Sequence, residues 1–391
     1  MKRFSAQYII TNTSPILKRA VISVSDDGII TGVDDTHGDL KEHHSIEFYN
    51  GIIIPGFVNC HCHLELSHLK GAINSGGGLG NFIHQVRSIR EADPERIMRS
   101  IDHADSYMYN EGVNLCADIC NTPDSFKTKK TSRIKYINLL EVFGIDPAKA
   151  ARRINEVAAL ADIAEKMNLP WSIIPHSVYS VSLPLFRLIR EKSKSNRITS
   201  IHFMETQGEM EFLNTQSGPL MESYKKSGLI PPLMQYADNH ADAVLNEMTP
   251  AGNLLLVHNL FADRPTIQKL KKRKNLFWCL CPGSNLYIEN KVPPVDLFLE
   301  ESCDIVIGTD SLASNKNLSI LDELKILQLN FPSLNIVDLI TWATINGARA
   351  LSEEENFGKI KEGTKPGLLL LQNVDLVNMK LLPESQVVRL A

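Results

Sequence analysis

The stretch Pro55-Gly56-Phe57-Val58-Asn59-Cys60-His61-Cys62-His63 joins two kinds of text. Its apolar run, Phe57–Cys60, opens on Pro-Gly and closes on two histidines. In an extended strand, residues i and i+2 point the same way, so His61 and His63 share a face while Cys62 points oppositely. Two imidazoles converging at the end of a buried strand form a metal-ligand arrangement. The alternation excludes Cys62 as a third ligand. Two chance histidines in a strand are the competing reading at this point.

Downstream of residue 55, short apolar runs alternate with amphipathic stretches such as Pro147–Met167 and Leu183–Lys194. The runs are Phe57–Cys60, Val113–Ile119, Tyr136–Val142, Trp171–Pro175, Thr199–Phe203, Leu254–Val257, Phe277–Leu280 and Ile305–Ile307. Apolar runs bounded by polar turns and separated by helices predict parallel strands buried on both faces. Eight such runs over roughly 300 residues fit a (β/α)8 TIM barrel. An open doubly wound sheet is disfavoured, because no dinucleotide or phosphate-loop fingerprint follows the first run. Upstream, Ala6–Thr11, Ala20–Val24 and Ile29–Val33 are short, β-branched and separated by Asn-Thr-Ser and Asp-Asp-Gly turns, which reads as antiparallel hairpins. A helix is expected near Ile336–Leu351, followed by strand-like text at Leu368–Leu371 and Val387–Leu390. That tail is too short to fold alone and is expected to pair with the N-terminal strands. The predicted organisation is a barrel over 55–354 and a composite β-sandwich from 1–54 plus 355–391.

The ends of the other runs strengthen the metal reading. His202 closes Ile201-His202-Phe203-Met204-Glu205, His258 follows Leu254–Val257, His176 follows Trp171–Pro175, and Asp310 follows Ile305-Val306-Ile307-Gly308-Thr309. A satisfied core histidine is the ordinary reading for any one of them. Five histidines at run ends, joined by an aspartate, collect at the face where such barrels carry their active sites.

This set of H-x-H, H-x-x-E, a lone His and an Asp after Gly-Thr resembles the amidohydrolase superfamily. "PGFVNCHCHLELS", "IHFMETQGE", "CPGSN" (281–285) and "IGTDSLASN" (307–315) are similar to motifs of its cytosine-deaminase-like and nucleoside-deaminase-like branch, which includes chlorohydrolases and aminodeoxyfutalosine deaminases. The likeness spans nearly the whole chain. It implies one divalent ion held by His61, His63, His202 and Asp310, zinc first, with iron(II) or manganese(II) as alternatives. Two-metal members use a carboxylated lysine on the fourth strand, and the fourth run, Trp171–Pro175, contains none. Bound to such an ion, a water's pKa falls from roughly 15.7 towards ~7, which supplies a hydroxide. The resemblance gives Asp310 the role of orienting that water and taking its proton. Glu205 carries the proton to a ring nitrogen and then to the leaving amine. His258 polarises the developing oxygen.

Further residues carry open alternatives. Glu65 is a substrate contact or a solvated loop glutamate; His176 is a substrate contact or a core residue; Ser284 and Asn285 touch substrate or shape their loop. The glycine run Ser75–Gly80 lacks the ending of a phosphate loop and reads as a lid or a plain flexible loop. Cys279 and Cys281 read as core, and His37, His43, His44, His68, His84, His103 and His240 as structural or solvated. Where the family usually has G-x-x-A-D-L, this chain has Gly363-Thr364-Lys365-Pro366-Gly367-Leu368. That departure touches the terminal β-domain and leaves the site set intact.

The whole-chain figures set the outer bounds. The 391 residues are 43% hydrophobic with a net charge of −4, which fits a globular protein and points away from nucleic acid as a partner. Seven cysteines without a C-x-x-C pair make neither a disulfide framework nor a zinc ribbon. No uninterrupted signal-peptide core or span of ~20 apolar residues is present, so a cytoplasmic chain without a membrane is expected. Association into a homo-oligomer is left open. The leading functional reading is hydrolytic deamination of a small amino-substituted heterocycle, an adenine-type nucleoside or an aminodeoxyfutalosine-like compound. Alternatives are hydrolysis of a cyclic amide, a guanidine-type imine or an aryl chloride, and a catalytically silent barrel.

Overall fold

All eight apolar runs are strands in the computed structural model, which describes residues 1–41, 43–226, 228, 240–249 and 252–391. The chain opens with β1 (Lys2–Ile9), β2 (Leu17–Lys18), β3 (Val21–Val24), β4 (Ile30–Asp34) and β5 (Glu47–Pro55). Then β6 (Phe57–Cys62), β7 (Val113–Cys120), β8 (Lys135–Val142) and β9 (Trp171–Pro175) form one parallel sheet. A second parallel sheet holds β10 (Ile198–Phe203), β11 (Asn253–His258), β12 (Leu276–Leu280) and β13 (Ile305–Ile307). β14 (Leu368–Asp375) and β15 (Lys380–Arg389) close the chain. The fold class is therefore α/β with parallel sheets.

The two parallel sheets meet at both edges. Thr309 N and Asp310 N each donate to His61 O at 3.0 Å, beside a parallel bridge between Cys62 and Asp310. At the other edge His202 N donates to His176 O at 2.8 Å. Side chains divide by the pleat. Val58, Cys60, Leu115, Ala117, Leu139, Val257, Phe277 and Cys279 pack together in one layer. Phe57, Val113, Leu140, Leu256, Trp278 and Leu280 face the opposite way and pack with helical residues such as Ile154, Val157 and Leu324. Burial on both faces is why these strands read as apolar runs, each large side chain contributing about 1.5–3 kcal/mol. The expected helices form at Ala150–Lys166 and Leu183–Lys192. The stretch from Ile336 to Ala350 is helical throughout, with a widened turn at Trp342–Asn346. Among the described residues, no helix is long and apolar enough to cross a membrane.

Both chain ends build one seven-stranded sheet in the order β15-β14-β5-β1-β3-β4, with β2 on β1. The tail pairs antiparallel with β5, Leu368 opposite Pro55. The upstream runs pair antiparallel, β1 with β3 and β3 with β4, as the hairpin reading expects, whereas β5, which that reading did not cover, runs parallel to β1. The Pro-Gly of the tail also has a local reason. Gly367 has φ +72°, and a Cβ there would stand 2.5 Å from Asn114 Nδ2, so glycine meets both demands.

Candidate active site

The run ends converge. His61 Nε2 lies 3.1 Å from His63 Nε2, and Asp310 Oδ1 lies 3.7 Å and 3.5 Å from the same two nitrogens. The rings of His61 and His202 meet edge to face at 4.9 Å. One nitrogen from each of His61, His63 and His202 fits within a 4.8 Å span. Simple alternation along β6 does not by itself produce this. Cys60 packs in the inner layer, and the β6–β7 register is irregular between Asn59 and Cys62, where His61 joins His63 and His202. Cys62 is left beside Cys116 on the outer side. Asn59 fastens the turn, exchanging hydrogen bonds with Thr309 Oγ1 at 2.8 Å and Thr309 N at 3.2 Å.

Three strand ends turn through left-handed backbone at non-glycine residues: Met204 (φ 50°), His258 (φ 76°) and Asp310 (φ 58°). Such residues each cost of order 1–3 kcal/mol and persist where surrounding bonds over-determine them. Asp310 shows the compensation. Its Oδ2 accepts from Ser284 Oγ at 2.6 Å and Ser314 Oγ at 2.7 Å, which leaves Oδ1 facing the histidines. His202 is oriented by its Nδ1, which donates to His176 O at 2.9 Å and turns Nε2 to the cluster. Burial first, then neighbouring histidines, holds His61 far below the usual imidazole range, and burial pushes His63 down to about 3. Neutral, buried imidazoles beside one carboxylate oxygen are a donor set that fits a divalent ion.

Glu205 stands across from them. Its Oε1 is 3.5 Å from His258 Nε2, an atom with no hydrogen-bond partner. Burial, then the charge of Asp310, raises the Glu205 carboxyl well above its ordinary value. The glutamate is aimed by Glu209, whose carboxylate accepts from Met204 N at 3.2 Å and Glu205 N at 2.8 Å. Asn285 Nδ2 reaches His258 Nδ1 at 3.4 Å. Ser284 and Asn285 thus touch Asp310 and His258 from the first turn of helix Pro282–Glu289.

Glu65 and His176 lie on the neighbouring wall. Glu65 is buried, and its oxygens accept from Asn121 N, Thr122 N at 2.8 Å and Arg90 Nη2 at 3.3 Å. It is not a solvated loop residue, and burial pushes its carboxyl up to about 7. His176 stacks on His202 at 4.5 Å, with Nδ1 against Ser180 Oγ at 2.8 Å and Ser177 Oγ at 3.0 Å. His68 is buried as well, bridging Glu65 O and Arg90 O. His37, His43, His44, His84 and His103 are exposed, and the side chain of His240 falls outside the described residues. Gly76 N donates to Tyr287 O at 2.8 Å, so the glycine run is tied to the helix that carries Ser284. Sequence reasoning missed Glu141, Asn121, Glu209, Asn59 and Ser314. Asn59, Glu209 and Ser314 stand inside the family-like motifs, and Glu141 is a charged residue near the end of an apolar run.

The family profile "Amidohydrolase family" matches residues 52–388, and the chain belongs to that family. Among individual proteins it is similar to the adenosine deaminase of Helicobacter pylori, 28% identical over 82% of this chain and 79% of that one. The fold is similar to a crystal structure of Helicobacter pylori aminofutalosine deaminase in complex with methylthio-coformycin: TM-score 0.79, 23% identity, 96% of this chain and 93% of that one. An adenosine deaminase from Xanthomonas campestris with bound zinc matches with TM-score 0.69 at 20% identity, over 94% of this chain and 84% of that one.

Proposed function

We propose that this protein hydrolytically deaminates an amino-substituted heterocycle of the adenine-nucleoside or aminodeoxyfutalosine type. The observation that carries the reading is a three-histidine cluster with one aspartate, faced by the Glu205–His258 pair at 3.5 Å. The adenosine deaminase relative supports the same class. His61, His63, His202 and Asp310 would hold one divalent ion, zinc first, and β9 offers no lysine for a second. Such an ion supplies Lewis-acid activation of water when bound.

The chain's own residues divide the remaining work. Asp310 Oδ1, with Oδ2 held by two serines, takes a proton from the attacking water. Glu205, kept protonated by burial, gives its proton to the ring nitrogen next to the carbon under attack. The hydroxyl on that carbon then gives its proton to Glu205, which passes it to the amine; the C–N bond breaks, ammonia leaves, the carbon keeps the water oxygen as a carbonyl, and the proton held by Asp310 returns to Glu205. His258 Nε2 lies where it can hydrogen-bond that oxygen. The substrate's non-reacting portion extends to the wall of Glu65 and His176, with Ser284 and Asn285 bordering the ring.

The same reading takes the two parallel sheets as one (β/α)8 barrel over 55–354, supported by the backbone bonds at both edges. It takes 1–54 plus 355–391 as a composite β-sandwich domain, supported by the shared sheet. Seven free thiols support a reducing, cytoplasmic setting. The test is ammonia release from purine, pyrimidine, pterin and triazine amines by metal-defined enzyme, with elemental analysis. About one ion per chain and turnover of an amino-purine are expected. Two ions in fully active enzyme, or turnover of a lactam or chloro-heterocycle with every amine inert, would overturn it.

A further inference from the structure

Two carboxylates line the wall next to the histidine cluster, and they differ in what they have left to offer. An ionised carboxylate has about four acceptor positions. Glu65 fills them from the protein: Oε1 accepts from Asn121 N and Thr122 N, and Oε2 from Asn121 N and Arg90 Nη2. Glu141, near the end of β8, is 7% exposed and does not. Its Oε2 accepts from Asn121 Nδ2 at 3.1 Å, while its Oε1 has no hydrogen-bond partner.

The imidazole beside that oxygen is already committed. His202 Nδ1 stands 3.6 Å from Glu141 Oε1, beyond hydrogen-bond reach, and gives its proton to His176 O at 2.9 Å. A buried acceptor left unmade costs about 1–3 kcal/mol, so it calls for a donor from outside the protein. The position of Oε1 narrows the donor. Polar atoms of Glu141, His176 and His202 lie within 4.8 Å of one another, so Oε1 is one imidazole away from the reacting centre. Asn121 holds the other oxygen and keeps the carboxylate from swinging away. An anionic ligand group would be repelled there, whereas a hydroxyl supplies one proton along the open direction.

Resting on the deaminase reading above, we propose that Glu141 Oε1 accepts a hydrogen bond from a sugar hydroxyl of a nucleoside substrate. Glu141 is then the specificity-determining carboxylate that separates nucleoside from free base, and Glu65 is the residue that builds the loop holding Asn121 against it.

The experiment crosses enzyme variants with substrate deletions. Metal-loaded wild type, Glu141→Ala and Glu141→Gln are assayed on adenosine, 2′,3′-dideoxyadenosine and adenine, with metal content measured for each protein. Wild type should favour adenosine over the dideoxy compound by roughly 10- to 100-fold in kcat/KM, the span of a hydrogen bond to a charged group. Glu141→Ala should erase that preference by slowing adenosine alone, at unchanged metal content. Glu141→Gln, which keeps an acceptor oxygen, should restore part of it. Equal losses on all substrates, or lost metal, would make Glu141 a support for His202 and overturn the inference. So would a preference that survives in Glu141→Ala, or no preference in wild type while amines are still deaminated. Absence of ammonia from all three compounds overturns this inference, and the deaminase reading falls with it only if the wider panel of amines is inert as well.

Discussion

The two walls of the site are built on opposite plans. On the wall formed by the ends of β6, β10, β11 and β13, side chains present atoms to a common centre: Asp310 Oδ1, His258 Nε2 and the nitrogens of three imidazoles. Each is aimed by a bond made at its other end or by its neighbours. On the wall formed by the ends of β7, β8 and β9, the polar groups, Glu141 Oε1 excepted, are spent on one another. Glu65 holds the 121–122 backbone, Asn121 holds Glu141, and Asp118 accepts from Leu64 N at 2.7 Å. The contrast teaches where chemistry and where support reside. A buried group with an open acceptor is poised for a ligand, and a saturated one is a brace.

The sharpest way to break this contrast is to remove one unspent atom. Glu205→Gln keeps the shape and loses the carboxyl proposed to carry the proton, so turnover should fall roughly 10²–10⁴-fold with the metal retained. His202→Ala should lose the metal as well. Equal metal loss in both variants, read by elemental analysis, would make Glu205 a ligand and dissolve the distinction.

A brace should register in stability instead. Asp118 and Lys129 form a fully buried ion pair at 2.5 Å, with Lys129 Nζ also bonded to Asn138 Oδ1 at 2.8 Å. Burial opposes the charge, but attraction and hydrogen bonds to Asp118 and Cys120 together outweigh it and keep the lysine charged. Asp118→Ala strands that ammonium and frees Leu64 N–H, one residue after His63. Breaking one partner of such a pair costs about 3–5 kcal/mol, to be read from denaturant unfolding. A loss below ~1 kcal/mol would show that the wall does not depend on it.

Glu209 tests the boundary between the two plans, since it is a brace that aims an acid. Burial pushes its carboxyl up to about 7, against about 4.5 in an unfolded chain. Between those values the folded protein holds a proton that the unfolded chain has released. Stability from this group therefore falls as pH rises from about 4.5 to about 7, then levels off. The slope is at most ~1.4 kcal/mol per pH unit for one proton. Thermal unfolding of Glu209→Gln across that window should show a flatter profile than wild type. An unchanged slope would mean the carboxyl titrates at its ordinary value.

These roles differ in how far the sequence discloses them. The eight strands stand within a few residues of their apolar runs, because burial on both faces leaves no polar position to blur them. His61, His202, His258 and Asp310 were legible because each ends such a run. The braces were not. Asp118 and Lys129 are separated by a turn and part of a helix, and Asn59 meets Thr309 across 250 residues, so no local pattern links them. The parallel pairing of β5 with β1 was hidden for a related reason. Turn chemistry reports that the chain reverses, but not which strand it joins after β4.

The smallest effect concerns the serines behind Asp310, where the two plans meet in one side chain. Ser284 Oγ and Ser314 Oγ both donate to Asp310 Oδ2, one from the helix after β12 and one from the loop after β13. If Ser284 braces Asp310 as Ser314 does, each alanine variant removes one of two donors and leaves the other. Each should then lower kcat by about 10-fold, the low end for a hydrogen bond to a charged group, with KM nearly unchanged. Their double variant should cost more than the product, since Oδ2 then has no donor and can turn towards the histidines. A Ser284 variant that instead raises KM while kcat holds would show the hydroxyl meeting substrate. That result would move Ser284 from the braces to the unspent atoms, and leave Ser314 alone behind the aspartate.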